Sequence, residues 1–408
     1  MPVDVLRCRV CESEYPAVAN GICGRCFGPL EPVYDWDELA RTVSQESIEA
    51  GPASLWRYAP LLPAEPSEGM GSSPGLTPLV PAPRLASALG VGEILLKLDI
   101  SNPTHSFKDR VVAVAAAKAQ EFGLDTLSCT STGNLAGAVA ARAAALGMPA
   151  VIFCPAGLEP EKIQAATVYG ARIYGVRGSY DDCSRLVSEL AGEVDWGFVN
   201  VNLRSYYAEG SKTLAFETVE QLGWETPDAV VSPIASGALF SKLWQGFNQF
   251  ERLGLQRGPL PRIYGGQAEG CSPVAAAYAE DRRVTPVRPD SIAKSLAIGN
   301  PADGDLAVAT AKASRGAIYV VPEDEVGPNM ALLAELAGVF GETAVGVTVG
   351  ALRAAAAAGE IGEDDRVVAL VTGTGLKTPQ AVAEHETGSV VEIDADVDAL
   401  LDELGVTA

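Results

Sequence analysis

Residues 126–154 of the chain read TLSCTSTGNLAGAVAARAAALGMPAVIFC. The stretch begins with a short apolar run at 126–130, passes through a small polar turn into the alanine-rich segment 134–146, and ends in a second apolar run at 150–154. The two runs have the length of buried strands, and the segment between them has the length and alanine content of a helix. Strand, helix and strand in this order predict a right-handed βαβ unit, which belongs to a parallel sheet.

The same alternation continues along most of the chain from Val91. Further strands are predicted at Glu93–Lys97, Arg172–Val176, Gly197–Val201, Ala229–Ser232, Arg262–Gly266, Ala317–Val321 and Arg366–Val371. Further helices are predicted at Phe107–Phe122, Glu159–Tyr169, Asp181–Ala191, Glu209–Leu222 and Ala238–Phe250. Because more than six such strands are enough for two sheets, the pattern predicts an α/β protein with two doubly wound, mainly parallel sheet domains.

Composition limits the classes of function. The 408 residues include 30 Lys and Arg against 52 Asp and Glu, a formal net charge of −22, and 48% are hydrophobic. Such a chain is globular and acidic, and it repels phosphate backbones and anionic headgroups, so we expect neither nucleic-acid nor membrane binding. No signal peptide is readable at Met1–Cys11 and no apolar run reaches the length of a membrane span. A cytoplasmic location is therefore expected.

The chain has only two histidines, His105 and His385. Histidine-rich metal sites are therefore excluded, and a Ser-His-Asp triad would have to use one of these two residues. The chemistry of the protein is expected to rest on another side chain.

Four of the eight cysteines cluster with the spacing C-x2-C-x11-C-x2-C, namely Cys8, Cys11, Cys23 and Cys26. Two CxxC knuckles can place four thiolates around one Zn²⁺, and four protein ligands leave no open position for a substrate. The spacing predicts a small structural zinc ribbon. A ribbon-shaped segment that has lost its metal, or a pair of redox thiols, is the alternative.

Four polar segments follow predicted strands, where ligands bind in open α/β sheets. They are Ser101–Arg110 (SNPTHSFKDR), Thr130–Asn134 (TSTGN), Pro233–Leu239 (PIASGAL) and Thr372–Leu376 (TGTGL). Each alone is a generic cap, but four at strand ends favour one shared site. No P-loop or dinucleotide fingerprint is present. A lysine, Lys108, among turns that can hold anions suits a Schiff base with a carbonyl cofactor such as pyridoxal phosphate.

These segments resemble those of the fold-type II pyridoxal-phosphate enzymes, and in particular of the threonine synthase family. The resemblance rests on SNPTHSFKDR at 101–110, STGN at 131–134, AEGSKTLAFE at 208–217, SIAKSLAIGNPAD at 291–303 and TGTGLK at 372–377. It extends from the N-terminal cysteines to about Pro379. It implies a tryptophan synthase β-like fold and pyridoxal 5'-phosphate as cofactor.

Together, pattern and resemblance suggest a division of the chain. Residues 1–34 would be the zinc-ribbon-like segment, 35–125 with 205–393 the large cofactor-binding domain, 126–204 the small domain, and 394–408 an acidic C-terminal helix or tail. Within the large domain, 35–42 reads as a short helix and the proline-rich stretch 60–83 as a surface crossing without core elements. Apolar residues at helical spacing in the C-terminal segment would pack on the body or on a partner, and a solvated terminal helix is the alternative.

The resemblance also assigns roles to residues. Lys108 would carry the cofactor and act as the mobile acid and base, Asn134 would hydrogen-bond the cofactor's phenolic oxygen, and Thr372 would place its hydroxyl on the pyridine nitrogen. The cofactor phosphate would be held by backbone N–H groups at the start of a helix. The residues expected to hold it are Ala235, Ser236, Gly237, Ala238 and Leu239.

The reaction implied is the conversion of O-phospho-L-homoserine and water to L-threonine and phosphate. Ser131, Thr132, Arg204 and Lys212 are the candidates for holding the phosphate of this phosphorylated amino acid. Two departures from the family pattern touch positions that see substrate. Tyr207 stands where many members carry an arginine, and Thr374 stands where many carry a histidine.

Two alternatives remain open. One keeps cofactor and fold but acts on O-phosphoserine or on serine or threonine, as in a cysteate synthase-like β-replacement or a deamination; one methylene in the substrate is worth only about 1–3 kcal/mol of discrimination. The other is a non-catalytic amino-acid sensor. The resemblance further implies a homodimer.

Overall fold

A computed structural model describes residues 3–66, 72–131, 133–156, 160–178, 180–385, 388, 390–393 and 395–405. The strands are β1 Val5–Cys8, β2 Glu14–Pro16, β3 Leu30–Pro32, β4 Leu79–Pro81, β5 Glu93–Leu98, β6 Leu127–Thr130, β7 Ala150–Pro155, β8 Arg172–Val176, β9 Gly197–Phe198, β10 Ala229–Pro233, β11 Arg262–Ala268, β12 Ile318–Val321 and β13 Arg366–Val371. The helices are α1 Trp36–Thr42, α2 Gln45–Glu49, α3 Pro83–Leu89, α4 Lys108–Glu121, α5 Asn134–Leu146, α6 Pro160–Thr167, α7 Tyr180–Leu190, α8 Arg204–Tyr207, α9 Thr213–Gln221, α10 Ala238–Arg252, α11 Pro273–Ala279, α12 Gly304–Ala313, α13 Glu323–Ala337, α14 Thr343–Ala357 and α15 Val397–Glu403.

Within the described residues these strands form three sheets. The large sheet has the order β12-β11-β10-β13-β5-β4 and is parallel except for β4 at its edge. The small sheet, β8-β7-β6-β9, is parallel throughout. The N-terminal sheet, β2-β1-β3, is antiparallel. The predicted α/β class with two mainly parallel sheets is confirmed.

The large sheet is buried on both faces. Along β10, Val230 packs in one core cluster, with Phe240 and Phe247 of α10, whereas its neighbour Val231 packs in another, with Val349 of α14. Successive strand residues point to opposite faces, so an unbroken apolar strand needs helices on both sides. This is why the short apolar runs read as parallel strands in the sequence.

Helix α4 packs against the small sheet, although residues 108–121 lie in the part of the chain assigned to the large domain. Val112 and Ala115 of α4 share a core cluster with Leu127 of β6 and Ile152 of β7. The first turn of α4, in contrast, is tied to the large sheet through Arg110, as described below. Helix α4 therefore connects the two sheets, and its N-terminus lies between them.

The prediction that residues 60–83 only cross the surface is wrong at both ends of the segment. Leu61 and Leu62 are buried, and Leu79–Pro81 forms β4 on the edge of the large sheet. Prolines are tolerated here because an edge strand leaves some N–H groups unpaired.

The C-terminal segment does contain a helix, α15, as expected. Val397 and Leu404 are 66% and 63% exposed. Val397 and Leu404 therefore do not pack on the body of this chain, and their packing on a partner stays a prediction. No helix among the described residues is long and apolar enough to cross a membrane.

A buried cluster of charges ties α4 to the large sheet. The guanidinium of Arg110, which is fully buried, donates to Asp99 at 2.7 and 2.8 Å and to Glu217 of α9. Lys97 of β5 lies 2.7 Å from Glu217. Two cations and two carboxylates thus neutralise one another, which is the condition under which buried charges are tolerated. We call these four residues the Arg110 cluster.

We predict that Glu217→Gln destabilises the protein. Burial alone would raise the pKa of Glu217, but Arg110 and Lys97 outweigh it and lower the pKa to about 2 from an ordinary 4.5. Because the folded-state pKa is depressed, the ionised carboxylate stabilises the fold above pH 4.5, and this contribution is lost as the pH falls toward 2. Breaking a buried ion pair from one side costs about 3–5 kcal/mol.

The measurement is the free energy of unfolding in denaturant, from pH 7 down to pH 2. Glu217→Gln should lose stability at pH 7 and show a weaker loss on acidification than the parent protein. Glu189→Gln is the control, since Glu189 forms an exposed ion pair with Arg185 and such pairs contribute about 0–1 kcal/mol. Equal stabilities of the two variants at pH 7 would contradict the assigned role of the cluster.

Candidate functional site

The carboxyl ends of β6, β10 and β13 border a cavity of about 170 Å³ between the two sheets. Its wall includes most of the residues singled out from the sequence. Those that line it are Lys108, Ser131, Asn134, Ala235, Ser236, Gly237, Ala238, Leu239 and Thr372. Segments more than 250 residues apart in the chain therefore meet at one site, as expected for ligand sites of open α/β sheets.

The loop after β13 holds two other wall segments by backbone hydrogen bonds. Phe107 N–H donates to the carbonyl of Thr372 at 2.9 Å, and Thr374 N–H donates to the carbonyl of His105 at 3.1 Å. On the other side, Glu342 N–H donates to the carbonyl of Gly373 at 2.9 Å. Residues 372–374 thus fix the entry to α4 and the entry to α14 with respect to each other.

Lys108 is the first residue of α4 and projects into the cavity. Its Nζ donates to the hydroxyl of Tyr207 at 3.1 Å and lies 4.5 Å from the centre of the Phe107 ring. No carboxylate forms an ion pair with Lys108 among the residues that the structure describes. The helix N-terminus disfavours a cation at this position. A covalent bond to a carbonyl compound would remove the charge, so the amine is well placed for imine chemistry.

Residues 234–239 form a turn into α10 that can receive a phosphate. The helix begins after Gly237, which has φ +93°, and no side chain caps its first turn. A Cβ on Gly237 would lie 2.5 Å from the carbonyl oxygen of Asp303, so no other residue fits. Uncapped N–H groups at a helix N-terminus bind phosphate groups well. The small residues Ala235 and Ser236 leave the approach to these groups open.

Thr372 carries a buried hydroxyl that is 2% exposed as a residue. Its Oγ1 finds no hydrogen-bond partner among the described residues. A buried polar atom without a partner costs about 1–3 kcal/mol, and at a functional site it is commonly satisfied by a ligand. A hydroxyl here can serve a ring nitrogen of a bound cofactor, in agreement with the role suggested for Thr372.

Asn134 is held at both ends of its amide group. Its Nδ2 donates to both carboxylate oxygens of Glu342, at 2.9 and 3.0 Å, and its Oδ1 accepts from Lys377 Nζ at 2.8 Å. Lys377 also donates to the carbonyl of Thr104 at 2.6 Å. Because a lysine can only donate hydrogen bonds, the amide atom of Asn134 that faces Lys377 is the oxygen. The NH₂ group of Asn134 is therefore directed toward the cavity wall that Glu342 supplies.

Sequence reasoning missed Glu342. The residue is 4% exposed and lines the cavity. Burial raises the pKa of its carboxyl group, while the hydrogen bond from Asn134 and the charges of Lys377 and Lys108 act in the opposite direction. The segment 340–343 has no feature in the sequence that marks a site, because its approach to Gly373 is a tertiary contact. Lys377 had been noted only as the last residue of a loop.

The four residues proposed for the substrate phosphate are placed differently. Ser131 lines the cavity, but its hydroxyl accepts from the N–H groups of Gly133 and Ala136 and thus caps α5. Thr132 lies outside the described residues. Arg204 and Lys212 do not line the cavity.

Arg204 forms an ion pair with Asp303 at 2.5 Å, in the body of the protein next to the N-terminal sheet. Lys212 is fully buried; its Nζ lies 2.5 Å from Glu209 and donates to the carbonyl of Leu61 at 3.0 Å. The guanidinium of Arg204 and the ammonium group of Lys212 are therefore each paired with a protein carboxylate. Both residues are structural in this arrangement.

A second lysine borders the cavity. Apart from Lys108, the basic residue among those that line it is Lys294, which is exposed and forms no ion pair within the described part of the chain. The hydroxyls of Tyr180 and Tyr207 belong to the same wall. Neither histidine lines the cavity, as expected from their scarcity.

The four clustered cysteines are brought together by the N-terminal sheet. Their sulfur atoms all lie within 4.8 Å of one another. Backbone N–H groups of Val10 and Arg25 point at the sulfurs of Cys8 and Cys23, each at 3.4 Å. Such an arrangement fits a tetrahedral zinc site, in which sulfurs surround the ion at about 2.3 Å.

Comparisons with known proteins show what the chain is similar to. The model of the family "Pyridoxal-phosphate dependent enzyme" matches residues 72–373. The chain is 34% identical to the threonine synthase of Methanosarcina acetivorans over 399 residues, which is 97% of this chain and 97% of that relative. It is 33% identical to the threonine synthase of Methanocaldococcus jannaschii over 398 residues, 97% of this chain and 98% of the relative.

Solved structures show the same fold at lower identity. The diaminopropionate ammonia lyase of Escherichia coli has a TM-score of 0.65 at 20% identity, covering 84% of this chain and 93% of that one. Maize serine racemase has a TM-score of 0.61 at 20% identity, covering 81% of this chain and 93% of the racemase. The fold of the two parallel sheets is thus shared with enzymes of different reactions.

We predict that Lys377→Met weakens the binding of pyridoxal phosphate. The change leaves the Oδ1 of Asn134 and the carbonyl of Thr104 without their donor, so the amide loses its fixed orientation. A buried hydrogen bond to a charged group contributes about 1.5–3 kcal/mol, which corresponds to an affinity loss of about tenfold or more. The dissociation constant is measured by absorbance titration of the protein freed of cofactor.

Lys312→Met is the control, because Lys312 forms an exposed ion pair with Asp281 far from the cavity. Lys377→Arg keeps a cation and should recover part of the affinity. If Lys377→Met bound the cofactor as tightly as Lys312→Met, the proposed fixing of Asn134 would be wrong.

Proposed function

We propose that this chain, which belongs to the pyridoxal-phosphate dependent enzymes and among them to the threonine synthase family, converts O-phospho-L-homoserine and water to L-threonine and phosphate. The observation that carries the proposal is the meeting of three groups in one cavity. They are the amine of Lys108, the uncapped first turn of α10, and the unpartnered hydroxyl of Thr372. The matches to threonine synthases over nearly the whole chain support the choice of reaction.

The residues of the cavity suit pyridoxal phosphate. Residues 235–239 would hold its phosphate by backbone N–H groups, and Thr372 would face its ring nitrogen. The NH₂ group of Asn134 would donate one N–H to its phenolic oxygen in place of one of its two contacts with Glu342. Lys108 would hold it covalently. When bound, the cofactor supplies an electron sink that makes protons on neighbouring substrate carbons removable.

The chain's own residues then handle protons and charge. Lys108 Nζ would take the proton from the substrate's Cα and next one from Cβ, and phosphate leaves Cγ. A proton is then returned to Cγ, which becomes the methyl carbon, water adds its hydroxyl group at Cβ and releases its other proton, and a proton is returned to Cα. Tyr207, whose hydroxyl lies 3.1 Å from this nitrogen, orients the amine when it is free. Thr372 would offer the ring nitrogen a neutral hydroxyl instead of a carboxylate. Without a negative charge beside it, the ring nitrogen would be less cationic, which favours elimination and replacement over other reactions.

We propose Lys294 as the cation for the substrate's phosphate group. The enzyme must hold a second phosphate, although the net charge of the protein is −22. Lys294 borders the cavity and is free of ion pairs among the described residues, whereas Arg204 and Lys212 are occupied elsewhere. A lysine binds phosphate as a compact charge. This assignment replaces Arg204 and Lys212 as candidates.

The chain holds further features that we assign with the function. We propose that Cys8, Cys11, Cys23 and Cys26 bind a structural zinc ion, which is supported by their mutual distances. We also propose a homodimer in the cytoplasm. Support for the homodimer comes from the family resemblance, and support for the location comes from the biosynthetic reaction of the relatives.

We predict an absorbance band near the visible edge in the cofactor-loaded protein, and its loss in Lys108→Ala, because the covalent link between cofactor and protein needs the lysine amine.

Release of phosphate and formation of threonine are then measured with O-phospho-L-homoserine, and with O-phospho-L-serine for comparison. We expect turnover of the former. Phosphate release from O-phospho-L-serine alone would indicate a β-replacement or elimination enzyme, and the lack of any band after reconstitution would indicate a non-catalytic sensor.

We predict that Lys294→Met raises the KM for O-phospho-L-homoserine about tenfold with little change in affinity for pyridoxal phosphate. Loss of a charged hydrogen bond to substrate costs about 1.5–3 kcal/mol, and the cofactor's phosphate is held elsewhere. Steady-state kinetics and a cofactor titration measure the two effects, with Lys312→Met as control. An unchanged KM would rule out Lys294 as the phosphate ligand.

A further inference from the structure

Asp303 lies at the junction between the N-terminal sheet and the body of the protein. One carboxylate oxygen is 3.1 Å from Arg9, and the other is 2.5 Å from Arg204. Its side chain is 9% exposed. Arg9 comes from the cysteine-bearing segment, so this carboxylate joins that segment to α8 and to the start of α12.

The backbone of Asp303 holds the turn that precedes α10. Its N–H donates to the carbonyl of Ser236 at 2.8 Å. Its carbonyl oxygen lies against Gly237, at 2.5 Å from where a Cβ would stand. A shift of Asp303 by a few tenths of an ångström would therefore move Ser236 and Gly237, which line the cavity.

A second ion pair crosses the same junction. Glu31 of β3 lies 3.2 Å from Lys242, which is in the second turn of α10. Lys242 in turn lies 2.6 Å from the fully buried Glu209. The burial of Lys242 and Glu209 reduces solvent screening, which strengthens the link. The N-terminal segment thus reaches the turn before α10 through Asp303, and it contacts the helix itself through Glu31 and Lys242.

Arg9 owes its position to the cysteines. It stands between Cys8 and Cys11 in the first CxxC knuckle, where Val10 N–H points at the Cys8 sulfur at 3.4 Å. A metal ion bound to both cysteines would hold this knuckle in one conformation, whereas the metal-free knuckle would have more freedom. Metal binding would therefore favour the conformation in which Arg9 pairs with Asp303.

We infer that the zinc ribbon is a positioning element for the phosphate-binding turn of residues 235–239, and that Arg9 couples metal binding to cofactor binding through Asp303. The inference rests on the proposed cofactor site. Since coupling between two sites is reciprocal, zinc strengthens the binding of pyridoxal phosphate, and pyridoxal phosphate strengthens the binding of zinc. Arg9 and Asp303 act as positioning residues and touch neither ligand.

The test compares Arg9→Gln with Arg7→Gln. Arg7 is on the same segment, but its ion pair with Glu14, at 2.6 Å, stays within the ribbon and is exposed. The zinc content of each protein is determined first, and one equivalent per chain is expected in both. We expect the dissociation constant of pyridoxal phosphate to rise about fivefold in Arg9→Gln, since a partly exposed ion pair contributes about 1 kcal/mol, and to stay unchanged in Arg7→Gln.

Two further readouts separate coupling from a general loss of stability. Hydrogen–deuterium exchange of residues 234–239 in the cofactor-free protein should rise in Arg9→Gln and not in Arg7→Gln. Equilibrium competition with a chelator should show tighter zinc binding in the presence of pyridoxal phosphate for the parent protein. This difference should shrink in Arg9→Gln, which a purely structural role of Arg9 would not cause.

The outcomes distinguish the inference from the proposed function. If the parent protein fails to bind pyridoxal phosphate, the proposed function is wrong and the coupling is wrong with it. If the parent binds the cofactor and Arg9→Gln binds it as tightly as Arg7→Gln, only the coupling is overturned. Less than a tenth of an equivalent of zinc in a parent protein that still binds the cofactor tightly would also overturn it.

Discussion

The buried pairing of Arg110 with Asp99 and Glu217 is the constraint on which the site depends. Lys108 is two residues before Arg110 at the start of α4, so the direction of its side chain is set by how that turn is held. An arginine fully removed from water needs its carboxylates at hydrogen-bond distance, because a displaced partner leaves an uncompensated charge. The Arg110 cluster therefore fixes the first turn of α4 against the large sheet, while the rest of α4 packs on the small one.

The loop after β13 completes this arrangement with backbone hydrogen bonds. Thr372, Gly373 and Thr374 bond the segment before α4 on one side and the segment before α14 on the other. The positions of Lys108 and Glu342 in the cavity wall thus depend on the backbone hydrogen bonds of this loop more than on its side chains. A Cβ at Gly373 would lie 2.4 Å from the Glu342 carboxylate, so a larger residue here would displace that carboxylate. The loop therefore helps to fix the start of α4, where Lys108 lies.

Much of the fold could be predicted because both sheets are parallel and buried. Short apolar runs followed by alanine-rich segments gave bounds within about two residues for most of the strands and helices that were predicted, for example α5 at Asn134–Leu146. Helices α12, α13 and α14 were not predicted. Residues 60–83 were misjudged because prolines are common both in surface crossings and in edge strands. The cavity residues next to glycine- and hydroxyl-rich turns were found in the sequence, since turns at strand ends are local features.

The residues that were misplaced or missed are those whose partners are far away in the chain. The sequence alone determined the two-sheet architecture, the cysteine cluster, and the segment that brings Lys108 to the cavity, because hydrophobic period, ligand spacing and turn chemistry are encoded over a few residues. The tertiary structure alone decided which charges are free for a ligand. Arg204 forms an ion pair with Asp303, and Lys212 forms one with Glu209, whereas Lys294 is free of ion pairs among the described residues. The physical reason is that a charged side chain is available to a ligand only where no counter-charge lies next to it, because the attraction between charges falls with distance. The nearest counter-charge is set by the folded structure and not by sequence order.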